Sequence, residues 1–125
     1  MDFKSNETIY SQITEYLKKQ IFCGCFASGA RLPAIRDLAV LCRVNPNTIV
    51  RVYAQLTEEK LIYTDSTNGK FVTSDGAFIL QKKREYLKQK AEAFAKEVRE
   101  AGLDGKEAVR MLGEIFGGQE EKERT

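Results

Sequence analysis

Apolar residues recur every four positions near the start of the chain, at Ile9, Ile13, Leu17 and Ile21. At 3.6 residues per turn this spacing lays them on one stripe. It predicts an amphipathic helix from about Thr8 to Cys23, closed by Gly24 and Gly29. A second, shorter stripe follows Pro33, at Ile35, Leu38, Ala39 and Cys42. A third, at Ile49, Val52, Tyr53 and Leu56, follows Asn45-Pro46, where asparagine is a good N-cap and proline fits the first helical position. Only Arg43 and Val44 separate the second helix from the third, and two helices joined by so tight a turn form a helix-turn-helix.

The period then switches from helix to strand. Leu61-Ile62-Tyr63-Thr64 and Lys70-Phe71-Val72-Thr73 are β-prone, and Asp65-Ser66-Thr67-Asn68-Gly69 between them is turn material. A hairpin placed directly after the third helix is a wing. From about Ala77 the helical period returns. Leu80, Leu87, Ala91, Phe94 and Val98 make a three-four repeat suited to a dimer interface, although Arg84 interrupts the seam. Gly102 should stop this helix, and Asp104 should cap a last one carrying Met111, Leu112, Ile115 and Phe116 as far as Gly117-Gly118. The pattern therefore predicts a mainly α fold with a small β-hairpin: a winged helix-turn-helix domain over residues 1–75, a helical region over 76–118 and a charged flexible tail over 119–125.

Charge sharpens this picture through its distribution. The net charge of the 125-residue chain is only +2. Yet Arg31, Arg36, Arg43 and Arg51 stand against a single acid, Asp37, in the segment that holds the helix-turn-helix, whereas eleven basic and ten acidic residues nearly cancel beyond Gly76. A helix that enters the major groove needs short polar residues near its N-terminus and longer donors one turn on. Asn45, Asn47 and Thr48 supply the first requirement, and Arg51, four residues after Asn47 on the same face, supplies the second. Arg36 on the preceding helix can reach a phosphate or a base edge. Gly69 and Lys70 give the wing a compact tip and a cation for the backbone or minor groove. A winged-helix module that packs or binds protein without touching DNA fits the same periodicity.

The order and spacing of these residues carry a family resemblance. Ile9-Tyr10-x-Gln12-Ile13, then Gly29-x-Arg31-Leu32-Pro33-Ala34-Ile35-Arg36-Asp37-Leu38-Ala39, then Val44-Asn45-Pro46-Asn47-Thr48-Ile49-x-Arg51-x-Tyr53-x-x-Leu56 and finally Gly69-Lys70-Phe71-Val72 resemble the text of GntR-type transcriptional regulators, in particular their short YtrA-like branch. The resemblance implies a homodimer on a palindromic operator in double-stranded DNA, with two C-terminal helices serving dimerisation. It also implies repression of the protein's own operon, in this branch often one that encodes an ATP-driven transporter. Three positions depart from the family's habit. Ala34 stands where a serine usually caps the second helix, Lys60 where a glycine often precedes the strand, and Thr67 where the wing tip favours a glycine.

Other chemistry is poorly supplied. There is no histidine, and no nucleophile elbow, phosphate-binding loop or convincing carboxylate pair, so no enzymatic activity, metal or cofactor is expected. Cys23-Gly24-Cys25 has the look of a metal or redox pair, but with no histidine and only Cys42 besides, the odd set Cys23, Cys25 and Cys42 reads rather as reduced thiols in a cytoplasmic protein. No apolar run is long enough to span a membrane. Tyr86, Phe94 and Phe116 offer aromatic lining for an effector groove, but packing accounts for them as well, and the sequence names no effector.

Overall fold

In order along the chain the elements are α1 (Ser5–Phe22), α2 (Ile35–Cys42), α3 (Pro46–Glu58), β1 (Ile62–Thr64), β2 (Lys70–Val72), α4 (Gly76–Glu100) and α5 (Gly105–Arg124). This computed structural model describes the backbone of residues 5–124 and the side chains of residues 8–118. The fold is mainly helical with one antiparallel hairpin, as the periodicity predicts. The chain divides into two compact units, residues 1–83 and 84–125.

The first unit is built on the three predicted stripes. Ile49, Val52, Tyr53 and Leu56 of α3 are fully buried, and Leu17, Ile21, Leu38 and Ala39 close over them. Burying each such aliphatic side chain contributes roughly 1.5–3 kcal/mol, so this dozen-residue core fixes the α1–α2–α3 arrangement. Asn45 caps α3 as expected: its side-chain oxygen accepts from the Asn47 backbone N–H at 2.8 Å, with Pro46 at the first helical position. Ala34 occupies the cap position of α2 in the right extended conformation but gives no side-chain hydrogen bond. Tyr53 ties α3 to the segment that leads into α2, its hydroxyl donating to the Pro33 carbonyl at 2.7 Å.

Both ends of the helix-turn-helix close on non-glycine residues in the left-handed region. Arg43 (φ 55°) ends α2 with Val44 N–H bonded back to the Ala39 carbonyl, and Lys60 (φ 63°) ends α3 with Leu61 N–H bonded back to the Leu56 carbonyl. Each is the six-to-one closure of a Schellman motif, where glycine is usual.

In the hairpin Ile62 pairs with Val72, Tyr63 with Phe71 and Thr64 with Lys70. The periodicity did not reveal a third participant. Residues 29–32 run along the far edge of β2: Gly29 N–H donates to the Val72 carbonyl, Leu32 N–H to the Lys70 carbonyl and Val72 N–H to the Ala30 carbonyl, with an antiparallel bridge between Arg31 and Phe71. The segment before α2 thereby anchors the wing to the core.

α4 starts on a cap that the sequence pattern left unread: Asp75 accepts from the Phe78 N–H at 3.0 Å. Phe78 and Ile79 pack against the first unit's core, so the first turns of α4 are part of that compact unit, which ends at Lys83. Gly102 (φ 77°) ends α4 in a Schellman closure, Leu103 N–H returning to the Val98 carbonyl. Asp104 caps α5 through the Lys106 N–H at 2.9 Å. One expectation fails here. α5 does not end at Gly117-Gly118 but continues to Arg124. Neither glycine adopts the positive φ that a C-cap requires, and glycine inside a helix costs only about 0.5–1 kcal/mol relative to alanine, too little to stop an established helix. The side chains of the expected charged tail, residues 119–125, lie outside the described residues.

Candidate nucleic-acid interface

The N-terminal turns of α3 shape the candidate surface. With Ile49, Val52, Tyr53 and Leu56 committed to the core, the opposite face of the helix must point outward. That face brings Asn45, Asn47, Thr48 and Arg51 around one shallow depression of about 280 Å3. Asn45 and Asn47 are exposed and Thr48 is half-buried. Asn45 has its side-chain oxygen engaged in the cap, so its amide nitrogen is the group it can offer outward. Arg51 lies with its guanidinium 4.2 Å from the centre of the Tyr10 ring, a cation–π contact that sets the arginine on α1's aromatic residue. Tyr10 in turn donates weakly to Gln55 at 3.5 Å, Gln55 donates to Glu59 at 3.1 Å, and Glu59 pairs with Lys18 at 2.7 Å. This chain of contacts fixes α1 across the back of α3. Arg36 is exposed on α2, out of phase with buried Leu38 and Ala39.

The wing is organised by one carboxylate. Asp65 Oδ1 accepts from the Thr67 N–H at 2.9 Å, the Thr67 hydroxyl at 2.6 Å and the Gly69 N–H at 3.2 Å. The Thr67 hydroxyl does most to hold the Asp65 carboxyl below its ordinary value; desolvation opposes it, and the Thr67 and Gly69 backbone N–H groups and the nearby Arg31 charge add smaller lowering effects. The Thr67 hydroxyl thus makes a hydrogen bond that a glycine there could not make. Asn68 takes the positive φ of the tip (63°), which asparagine tolerates. Gly69 sits buried below it. A Cβ on Gly69 would come 3.0 Å from the Phe71 ring and 3.3 Å from the Arg31 guanidinium, so the position shapes the wing by leaving room. Its N–H and carbonyl are both engaged with Asp65. Lys70 is half-buried, its ammonium donating to the Thr64 hydroxyl at 2.7 Å.

Arg31 is the functional candidate that periodicity missed. It is exposed, it lies 5.9 Å from the Phe71 ring centre, and it stands beside the wing tip. Its signals in the sequence are membership of the arginine cluster and its place in the string Gly29-x-Arg31-Leu32-Pro33.

Against known proteins, residues 9–72 match the bacterial regulatory proteins of the gntR family. The chain belongs to that family. It is a DNA-binding regulator by that membership, and the matched stretch spans α1 to β2, the whole of the surface just described. It is similar to a GntR family transcriptional regulator from Listeria monocytogenes, at 35% identity and a TM-score of 0.81, over 85% of this chain and 93% of that one. It is also similar to two Bacillus subtilis proteins. The uncharacterized HTH-type transcriptional regulator YhcF is 29% identical over 86% of this chain and 88% of its own length. The HTH-type transcriptional repressor YtrA is 26% identical over 92% and 89%.

The second unit presents a different surface. Phe94, Ala95, Val98, Leu103, Ala108 and Leu112 are among the residues lining an open, mostly apolar cleft of about 640 Å3 between α4 and α5. Val98 and Ala108 are buried at its floor, whereas Leu87, Val109, Ile115 and Phe116 are left exposed. Of the residues expected at a dimer interface, Leu80, Leu87 and Ala91 are exposed, Phe94 is half-buried and Val98 is already buried within its own chain. No described helix is long and apolar enough to cross a membrane.

Proposed function

We propose that this gntR-family regulator is a homodimeric repressor of the YtrA-like branch that reads a palindromic operator. α3 enters the major groove, with Asn45, Asn47, Thr48 and Arg51 facing base edges and Arg36 reaching in from α2. The wing, shaped by Gly69, brings Lys70 and Arg31 to the backbone or minor groove. The observation that carries this reading is the grouping of Asn45, Asn47, Thr48 and Arg51 around one depression at the start of α3, on the face opposite the core. Repression is supported by the likeness to the repressor YtrA. Pairing of two copies is supported by the exposed leucines and aromatics of α4 and α5, and a two-fold dimer matches a palindromic site. The regulated operon, in the proposed reading, is the protein's own and encodes an ATP-driven transporter.

The test is selection of bound sequences from random duplex DNA, followed by titration of Arg36→Ala, Arg51→Ala and Lys70→Ala proteins on the selected site at several salt concentrations. The selected site should be palindromic. Loss of a base-reading arginine should cost about 1–3 kcal/mol and relax preference at one position per half-site. Loss of Lys70 should weaken all duplexes evenly and lower the salt slope by about one. Failure of the parent protein to prefer any duplex would favour a winged-helix module that binds protein instead.

A further inference from the structure

One cluster of reactive groups lies apart from the DNA-reading surface. Cys23 and Cys25 flank Gly24 where the chain leaves α1. Both thiols are exposed, and their sulfurs lie 2.9 Å apart, closer than unbonded sulfurs normally approach. Gly24 makes this possible. Its φ of 81° turns the chain back on itself, a conformation that an L side chain rarely adopts. Nothing lies within 4 Å of where a Gly24 Cβ would be, so this turn stands in open space between the two exposed thiols. The Cys25 thiol and backbone N–H both hold the Cys23 thiol below its ordinary value, with a smaller effect from the Lys83 charge, while Cys25 is correspondingly raised. The pair therefore has one sulfur prepared to attack and a second waiting beside it. Cys42, half-buried on α2 and packed against the core, has no such neighbour among the described residues.

We propose that Cys23 and Cys25 form a reversible redox site that closes to an intramolecular disulfide on reaction with a hydroperoxide. The Cys23 thiolate attacks the distal peroxide oxygen. The O–O bond breaks, an alcohol (or water, from hydrogen peroxide) leaves, and Cys23 becomes a sulfenic acid. Cys25 then attacks the Cys23 sulfur, the S–O bond breaks and water leaves. In sum two thiols and one hydroperoxide give one disulfide, one alcohol and one water; the two electrons lost by sulfur reduce the O–O bond. A disulfide between residues two apart closes a small ring, and an exposed, strained bridge of this kind is easily reduced again by a dithiol.

The intact 125-residue chain allows a clean test, since trypsin cuts after Lys19, Arg31, Arg36 and Arg43 and so separates the pair from Cys42. The reduced protein is treated with hydrogen peroxide, alkylated, digested and weighed. The peptide Gln20–Arg31 should be lighter by two hydrogen atoms and carry no alkyl group, and a dithiol should restore both thiols. The peptide carrying Cys42 should stay alkylated. In Cys25→Ser the reaction should stop at a Cys23 sulfenic acid that a carbon nucleophile traps. Two alkylated thiols in Gln20–Arg31 after treatment, loss of Cys42 at the same rate, or covalent dimers in place of the internal bridge would each overturn the proposal.

Discussion

At the scale of single residues, the helix-turn-helix is held by caps and closures whose quality differs from site to site. Lys60 adopts a left-handed conformation (φ 63°) that costs an L residue roughly 1–2 kcal/mol. Lys60→Gly removes that strain but gives the unfolded chain more freedom, worth roughly 0.4–1 kcal/mol in the opposite direction. The expected net result is a gain of about 0.5–1 kcal/mol in urea unfolding, as the two opposing effects partly cancel. Ala34 already has cap geometry (φ −62°, ψ 151°) without a capping side chain. Ala34→Ser should therefore add about 0.5–1 kcal/mol with no change in DNA preference. Tyr53 is different in kind. Burial pushes its phenol up to about 12, with a smaller contribution from nearby Cys42. The folded state keeps the proton that the unfolded state gives up near pH 10, so this contribution to stability is complete below pH 10 and falls away as the pH rises toward 12. An alkaline stability series should show that decline in the parent and lack it in Tyr53→Phe. The same variant should lose roughly 1–3 kcal/mol at neutral pH, because the Pro33 carbonyl loses its donor.

At the scale of elements, the wing shows how one acceptor can set a loop. Three donors converge on Asp65 Oδ1, two from Thr67 and one from Gly69. Asp65→Ala should release the tip without disturbing α3. Hydrogen exchange at the Thr67 and Gly69 amides should accelerate, while exchange at Val52 and Tyr53, deep in the core, stays slow; an unchanged rate at Thr67 would refute this account of the wing. The wing was half legible in the sequence. Its strands and its Asn-Gly turn follow from composition, but the edge pairing of residues 29–32 and the room that Gly69 leaves for Arg31 do not, because the partners lie some forty residues apart. α3 was almost wholly legible, since its cap, its start and its four core positions are all local.

At the scale of the whole molecule, the exposed apolar residues of α4 and α5 bear on assembly. Leu87 is 54% exposed and Phe116 62%, on a chain whose modest size leaves little core to spare. Light scattering at micromolar concentration should give about twice the 14.2 kDa chain mass. Leu87→Glu should shift the mass toward the monomer and weaken operator binding while leaving binding of a half-site nearly unchanged. A monomer mass for the parent would remove the dimer from the reading.

The sequence by itself determined what depends on near neighbours: helix stripes read from spacing, the caps Asn45 and Asp104, the stop at Gly102 and the tight turn at Arg43-Val44. These are set by backbone geometry within about one helical turn, so a linear pattern carries them in full. Only the tertiary structure decided that Arg51 rests on Tyr10, that Arg31 joins the wing, that Phe78 and Ile79 belong to the first core, and that α5 continues past Gly117-Gly118. The first three join positions far apart in the chain, and nothing in the local spacing of either partner encodes the other. The fourth turned on whether the two glycines would take positive φ, and they do not; both glycine conformations lie close in energy, so composition alone left the choice open.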